Sequence, residues 1–393
     1  MPDPSPDVRS WLEQLVAFDT TSSQTNLPLV NAVAEHLAAL GLEPLILPAP
    51  DGSKANLVVT VPDVAGNLRG GVMLSGHTDV VPTEGQPWTS HPYTLTERDR
   101  RWYGRGTTDM KGFNAVMLAA VPSMMAGRLR EPIHLAFSYD EEVGCLGAVP
   151  LVEALREADR LPAMCFVGEP TSMRMIRGHK SISVITVTVT GRAAHSSLTD
   201  AGVNAIEHAG AIVGYWEHRA AQWRNQGPFD PDYPIAHTTG AVTTITGGNG
   251  VNIIPASCRL TLEFRTIGAT DVATEIDALR GHCARVQEAM RTEAGADPEE
   301  VGVEVVVDAQ TPGLETPVDG LVVERGVALG LTVSDEKVTY GTEAGIFAAA
   351  GISTVVCGPG DIARAHTADE YIEPAELAHC EQIIGRLVES ARV

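Results

Sequence analysis

Apolar residues recur at helical spacing at the start of the chain: Val8, Trp11, Leu12, Leu15 and Val16, then Val30, Val33, Leu37 and Leu40, with Gly41 as a stop. Short apolar runs bounded by Pro, Gly and Asp follow at 45–47, 57–61 and 71–74 and predict strands. The third runs into Ser75-Gly-His77-Thr-Asp79, which sets two polar side chains beyond a strand's carboxyl end. A helical stretch at 113–125 leads to 133–137, whose unbroken apolar character predicts a buried strand. That strand ends in Asp140-Glu141-Glu142, with Gly144 and a helix through Leu151 and Leu155 behind it. The pattern of strand, polar residue and helix repeats at 163–167 with Gly168-Glu169-Pro170, and at 353–357 with Gly358-Pro-Gly360 and then Ala365-His366-Thr-Ala-Asp369-Glu370. Helices near 319–330, 342–350 and 374–390 complete this part.

Between 179 and 311 the pattern changes. Residues 182–189 alternate like a half-exposed strand, 202–224 are helical, 241–246 and 258–264 are strands, 271–291 are helical and 301–307 form a strand. The order β-α-β-β-α-β is the ferredoxin-like split pattern. The expected organisation is an α/β domain with a mostly parallel sheet over 1–178 and 312–393, interrupted by an inserted α+β domain over 179–311. In open α/β sheets ligands bind beyond the carboxyl ends of the strands. Those ends collect His77, Asp79, Glu141, Glu142, Glu169 and His366, so their shared placement turns scattered residues into one candidate site.

Composition narrows the class. A length of 393 residues, 44% hydrophobic and 20% charged, fits an ordered globular protein with enough apolar material for two cores. Lys and Arg total 28 against 50 Asp and Glu, a formal charge of −22 that repels nucleic acid and anionic membranes and favours approach of cations. The opening Met-Pro-Asp-Pro-Ser-Pro-Asp lacks a basic n-region, and no segment supplies the about 18 apolar residues of a membrane span. A cytoplasmic protein is expected. Six scattered cysteines without a C-x-x-C pair predict reduced, buried thiols, so a metal would need harder ligands.

Two imidazoles and several carboxylates suit a divalent zinc, cobalt or manganese ion. One carboxylate can bridge two ions about 3.5–4 Å apart, an arrangement that polarises a carbonyl and acidifies water. Asp109, in the turn Gly104-Arg-Gly-Thr-Thr-Asp109-Met-Lys-Gly112, is a plausible bridge, because the glycines allow close backbone approach. Adjacent residues in a turn point in different directions, so of Glu141 and Glu142 one can ligate while the other moves protons.

Taken together, His77-Thr-Asp79-Val-Val-Pro, Gly104-Arg-Gly-Thr-Thr-Asp109-Met-Lys-Gly, Asp140-Glu141-Glu142-Val-Gly, Gly168-Glu169-Pro-Thr, Gly191-Arg-Ala-Ala-His195-Ser-Ser and Ala365-His366-Thr-Ala-Asp-Glu resemble the co-catalytic zinc amidohydrolases and peptidases. That family includes acetylornithine deacetylase, succinyl-diaminopimelate desuccinylase, aminoacylase and certain carboxypeptidases. The resemblance implies a zinc-peptidase-like catalytic domain and an inserted dimerisation, or lid, domain. It implies that His77, Asp109 and Glu169 hold one metal ion and Asp109, Glu142 and His366 a second. It further implies that Asp79 orients His77, that Glu141 is the general base and that the Asp109–Met110 peptide is cis. His195 would donate to the oxyanion across a homodimer interface formed by the inserted domain, and Asn252 and Arg265 would bind the substrate carboxylate.

Gly178-His-Lys180, Tyr340-Gly-Thr-Glu343-Ala-Gly345 and Val356-Cys-Gly-Pro-Gly360 most resemble the acetylornithine deacetylase branch, with Glu343 facing the amino group of an ornithine-like substrate. The expected function is therefore two-metal hydrolysis of a small N-acyl amino acid, N-acetylornithine foremost, a step of arginine biosynthesis. Other readings are hydrolysis of a succinyl-diamino acid, an N-acyl or N-carbamoyl amino acid or a dipeptide, and, from another class, a non-catalytic metal or ligand binder. The presence together of the base and all five ligand positions argues against the last.

Overall fold

A computed structural model describes residues 3–295 and 297–393. The chain forms two compact units, one made of the residues up to Gly178 with Leu314–Asp335 and Thr342–Val393, the other of His179–Gly313 with Glu336–Gly341. The short segment Glu336–Gly341, expected to belong to the first unit, packs with the second.

The first unit is built on a six-stranded sheet in the spatial order Leu45–Pro48, Ala55–Val61, Ile133–Ser138, Val72–His77, Met164–Pro170, Ser353–Gly358. The last four are mutually parallel and the first two run antiparallel at one edge, so the sheet is mixed. Every residue of Val72–His77, Ile133–Ser138 and Met164–Pro170 is buried, which explains their continuous apolar reading. Helix Lys111–Met125 packs against Pro6–Ala17 and Pro374–Ser390. Its Phe113, Val116, Met117, Leu118 and Val121 are at most 2% exposed, each apolar side chain contributing about 1.5–3 kcal/mol of transfer free energy. That helix begins two residues after Asp109, so a rigid element fixes the turn before it. Gly112 is required there: a Cβ would sit 2.4 Å from the Thr107 carbonyl oxygen.

A small three-stranded sheet leaves no mark in the apolar pattern. Thr96–Arg98 pairs with Arg101–Tyr103, which pairs antiparallel with Tyr371–Ile372. This ladder brings the segment after His366 beside the glycine-rich turn.

The second unit has a four-stranded antiparallel sheet ordered Thr239–Gly247, Ser257–Arg265, Ile182–Thr190, Gly302–Thr311, the order of a ferredoxin-like split fold. Helices Ala205–Gln226 and Val272–Ala294 cover one face, with Trp216, Trp223, Leu260, Leu262, Phe264 and Leu279 in its core. Asn204 and Asp271 cap these helices by accepting backbone N–H bonds at the first turn. All six cysteines are free and buried. Among the described residues no helix is long and apolar enough to cross a membrane.

Candidate metal centre

The parallel strands deliver their polar ends to one place. His77 closes its strand, Glu169 is the penultimate residue of Met164–Pro170, Glu141 and Glu142 follow Ser138, and His366 lies eight residues beyond Gly358. His77 Nε2 is 3.0 Å from Asp109 Oδ1 and 3.6 Å from Glu169 Oε1; His366 Nε2 is 3.2 Å from Asp109 Oδ2 and 3.1 Å from Glu142 Oε2. Asp109 thus stands between the imidazoles, with one carboxylate oxygen toward each. The Asp109–Met110 peptide is cis.

His77 Nδ1 donates to the Asp79 carbonyl at 2.9 Å. In a neutral ring this leaves the Nε2 lone pair aimed at carboxylate oxygens, and only a proton or a cation between them reconciles the three. Ligand atoms each about 2.0–2.2 Å from one zinc-like ion at near-tetrahedral angles lie roughly 3.0–3.5 Å apart, close to the spacing here. Two overlapping sets, His77 with Glu141 and Glu169, and His77 with Asp109 and Glu142, place one potential ligand atom each within 4.8 Å of the others. Glu169 Oε1 is buried with no hydrogen-bond partner. A buried carboxylate oxygen left unpaired is costly, so the donor set fits a bound cation.

The electrostatics agree. Burial pushes the Glu141 and Glu169 carboxyls well up, with neighbouring carboxylates adding and His77 opposing; Glu142 is raised for the same reason, burial first and then Asp109. Burial also works to raise Asp109, but its contacts with His366 and His77 outweigh that and hold it low. Burial would lower His77, yet Asp109 and the charges of Glu169 and Asp79 lift it well above the ordinary range, and hydrogen bonds donated to Asp109 and Glu142 push His366 up to about 10. This is a field that attracts positive charge.

Asp79 accepts from His77, as the resemblance implies, and does so through its main chain. Its backbone carbonyl, not its carboxylate, takes the His77 bond; the nearer carboxylate oxygen is 3.6 Å from Nδ1. The carboxylate instead accepts from the Ser22 hydroxyl at 2.7 Å and from the backbone N–H groups of Glu141 and Glu142 at 3.1 and 3.3 Å, so it pins the acidic turn. Glu343 is a correction. It is fully buried, with its carboxylate oxygens accepting from Ser75 and Ser138 hydroxyls at 2.6 Å each, and it is not free to meet a substrate amino group.

His195, Asn252 and Arg265 lie in the second unit. His195 is exposed on a two-residue ladder with Ile253, and the Ser196 N–H donates to the Asn252 carbonyl. His195 Nδ1 lies 2.8 Å from the Ser197 hydroxyl and 3.2 Å from the Ser197 backbone N–H, so that side of the ring is held by its own loop. Arg265 closes its strand with Nε 2.5 Å from Glu263.

Several supporting residues carry no recognisable mark in the sequence. Asn114 Nδ2 holds the His77 carbonyl at 2.7 Å, and Glu370 accepts the Asp109 backbone N–H at 3.0 Å. The only hint is position: Glu370 ends the His366 motif and Asn114 is in the first turn of the helix that follows Asp109.

Residues 73–390 match the family described as peptidase family M20/M25/M40. The chain is 34% identical over 391 residues to an acetylornithine deacetylase of Myxococcus xanthus, covering 99% of this chain and 98% of that one. It is 33% identical over 378 residues to an acetylornithine deacetylase of Proteus mirabilis, covering 95% and 92%. Among solved structures, a tripeptidase from Staphylococcus aureus superposes with a TM-score of 0.71 at 20% identity, over 98% of both chains. An M20 metallo-carboxypeptidase from Sulfolobus solfataricus does so with a TM-score of 0.72 at 16% identity, over 98% and 99%. With the strand-end cluster in place and these likenesses running nearly end to end, the chain belongs to peptidase family M20/M25/M40 and is a hydrolase.

Proposed function

We propose that the protein removes the acyl group from the α-nitrogen of a small amino acid, with N-acetylornithine as its preferred substrate, using two divalent ions, zinc foremost. The observation that carries this reading is the position of Asp109, one oxygen toward His77 and the other toward His366. In this reading His77 and Glu169 complete one ion's ligands, Glu142 and His366 the other's, and Asp109 serves both. Bound ions would supply Lewis acidity toward the amide carbonyl and lower the pKa of the attacking water.

Glu141 is the residue left over for proton transfer. Among the described residues its carboxylate has only the Cys145 thiol, at 3.5 Å, as a side-chain hydrogen-bond partner. A raised carboxyl pKa suits a group that takes a proton from water and gives it to the departing nitrogen. The amide C–N bond breaks as the water oxygen forms the new C–O bond, so that oxygen ends in the carboxylate product and both water protons end on the amine, which leaves as an ammonium. His195 stabilises the oxyanion with its Nε2–H, and Asn252 and Arg265 hold the substrate carboxylate.

The ornithine preference leans on the relatives named above, not on Glu343, which is occupied by two serines. A screen of the zinc- or cobalt-loaded protein against N-acetylornithine, other N-acetyl and N-succinyl amino acids and dipeptides tests it. N-acetylornithine should give the highest kcat/KM; a dipeptide ahead of it would move the protein toward the peptidases that share its fold.

The protein acts as a homodimer through the second unit. Thr239–Gly247 is an edge strand, and Leu198, Ile245 and Val251 are 59%, 56% and 103% exposed, a combination that asks for cover. Sedimentation velocity should show a dimer; monomer alone at micromolar concentration would remove the support for His195 acting in trans.

A further inference from the structure

The segment after His366 is tied to the turn that bears Asp109 by a buried polar network that the chemistry above does not use. Glu370 is 1% exposed. Its Oε1 accepts the backbone N–H groups of Thr108 at 2.9 Å and Asp109 at 3.0 Å; its Oε2 accepts the Gly106 N–H at 2.9 Å and Arg105 Nη1 at 2.8 Å. Arg105, also 1% exposed, passes on through Nη2 to Gln86 Oε1 at 2.5 Å, and Gln86 Nε2 donates to the His366 carbonyl at 2.9 Å. The ladder of Tyr371 with Tyr103, and the bond from the Gly104 N–H to the Glu370 carbonyl at 3.0 Å, hold the two segments side by side.

We infer that Glu370 is a positioning residue of the metal centre, whose carboxylate, with Arg105 and Gln86, holds the Asp109 turn and the His366 loop at the spacing two ions need. This inference rests on the two-ion reading of the site. Among the described residues four donors and no acceptor converge on the Glu370 carboxylate, so an acceptor-only group is what the site asks for. A glutamine of the same shape would turn an –NH2 toward one set of those donors and leave them unpaired. His366 has φ 61°, a left-handed backbone that a residue other than glycine keeps only when its surroundings hold it, and the Gln86 bond to its carbonyl is one such restraint. Outer-shell partners of this kind typically change metal affinity by about 10- to 100-fold when replaced.

The test is calorimetric titration of the metal-stripped full-length protein with Zn2+, for wild type, Glu370→Gln and Gln86→Leu, beside the melting temperature of each metal-stripped form. Gln86 is only partly buried, so Gln86→Leu should fold even if Glu370→Gln does not. Wild type should bind two ions. Gln86→Leu should bind the ion shared by Asp109, Glu142 and His366 at least about 10-fold more weakly while keeping the affinity of the His77–Glu169 ion, and Glu370→Gln should weaken both. A role confined to stability would lower melting temperature and leave both affinities unchanged. Wild-type affinities for both ions in Gln86→Leu, and in Glu370→Gln where it folds, overturn the inference and leave the proposed function standing. Fewer than two ions in wild type would overturn the two-ion reading and this inference with it.

Discussion

Replacing Glu141 by glutamine should lower kcat on the best substrate by about 10²- to 10⁴-fold, the range over which a positioned general acid–base group acts, while the protein still binds two ions. The reason is geometric. Glu141 belongs to the same acidic cluster as the proposed ligands, yet it is neither Glu142, which meets His366 at 3.1 Å, nor Glu169, which faces His77 at 3.6 Å. Its turn is held from behind by Asp79, whose carboxylate accepts the Glu141 and Glu142 backbone N–H groups, so the amide side chain should occupy the same place without restructuring the turn. Glutamine cannot accept the water proton, and KM should therefore change far less than kcat. Metal analysis with steady-state kinetics decides it: loss of an ion with turnover retained would reassign Glu141 as a ligand.

Replacing Asp109 by alanine should be the most damaging single change. Metal content should fall from two ions to one or none, and kcat/KM by more than about 100-fold, the upper end of what outer-shell partners cost. Asp109 offers one oxygen to each imidazole's neighbourhood, at 3.0 and 3.2 Å, so no other residue can replace it for both ions. Without that negative charge, two dications about 3.5–4 Å apart would face each other unshielded. Asn is the informative control, since it keeps the shape and one oxygen and loses the charge. Elemental analysis of dialysed wild type, Asp109→Ala and Asp109→Asn gives the comparison, and two ions retained in Asp109→Ala would remove the bridge from the reading.

The strands that present these groups are legible in the sequence because burial on both faces leaves an unbroken apolar run, and a polar residue at its end stands out. His77, Glu141, Glu142 and Glu169 fall into one set on that pattern alone. Glu343 is misread from sequence because the relevant fact is three-dimensional: Ser75 and Ser138 come from neighbouring parallel strands, and both hydroxyls reach the same carboxylate. Nothing along the chain pairs positions 75, 138 and 343. For Asp79 the sequence points to the residue but not the atom, since it cannot tell whether a carbonyl or a carboxylate accepts an imidazole's N–H. The network around Glu370 stays hidden because the strands that assemble it are two or three residues long, too short for any periodicity to register.

The central claim is that Asp109 lies between two metal ions. Crystals grown with zinc and measured on both sides of the zinc absorption edge test it most directly. Two anomalous peaks about 3.5–4 Å apart are expected, one beside His77 and Glu169, the other beside Glu142 and His366, with an oxygen of Asp109 on each. A single peak, or two peaks that Asp109 does not join, would contradict it.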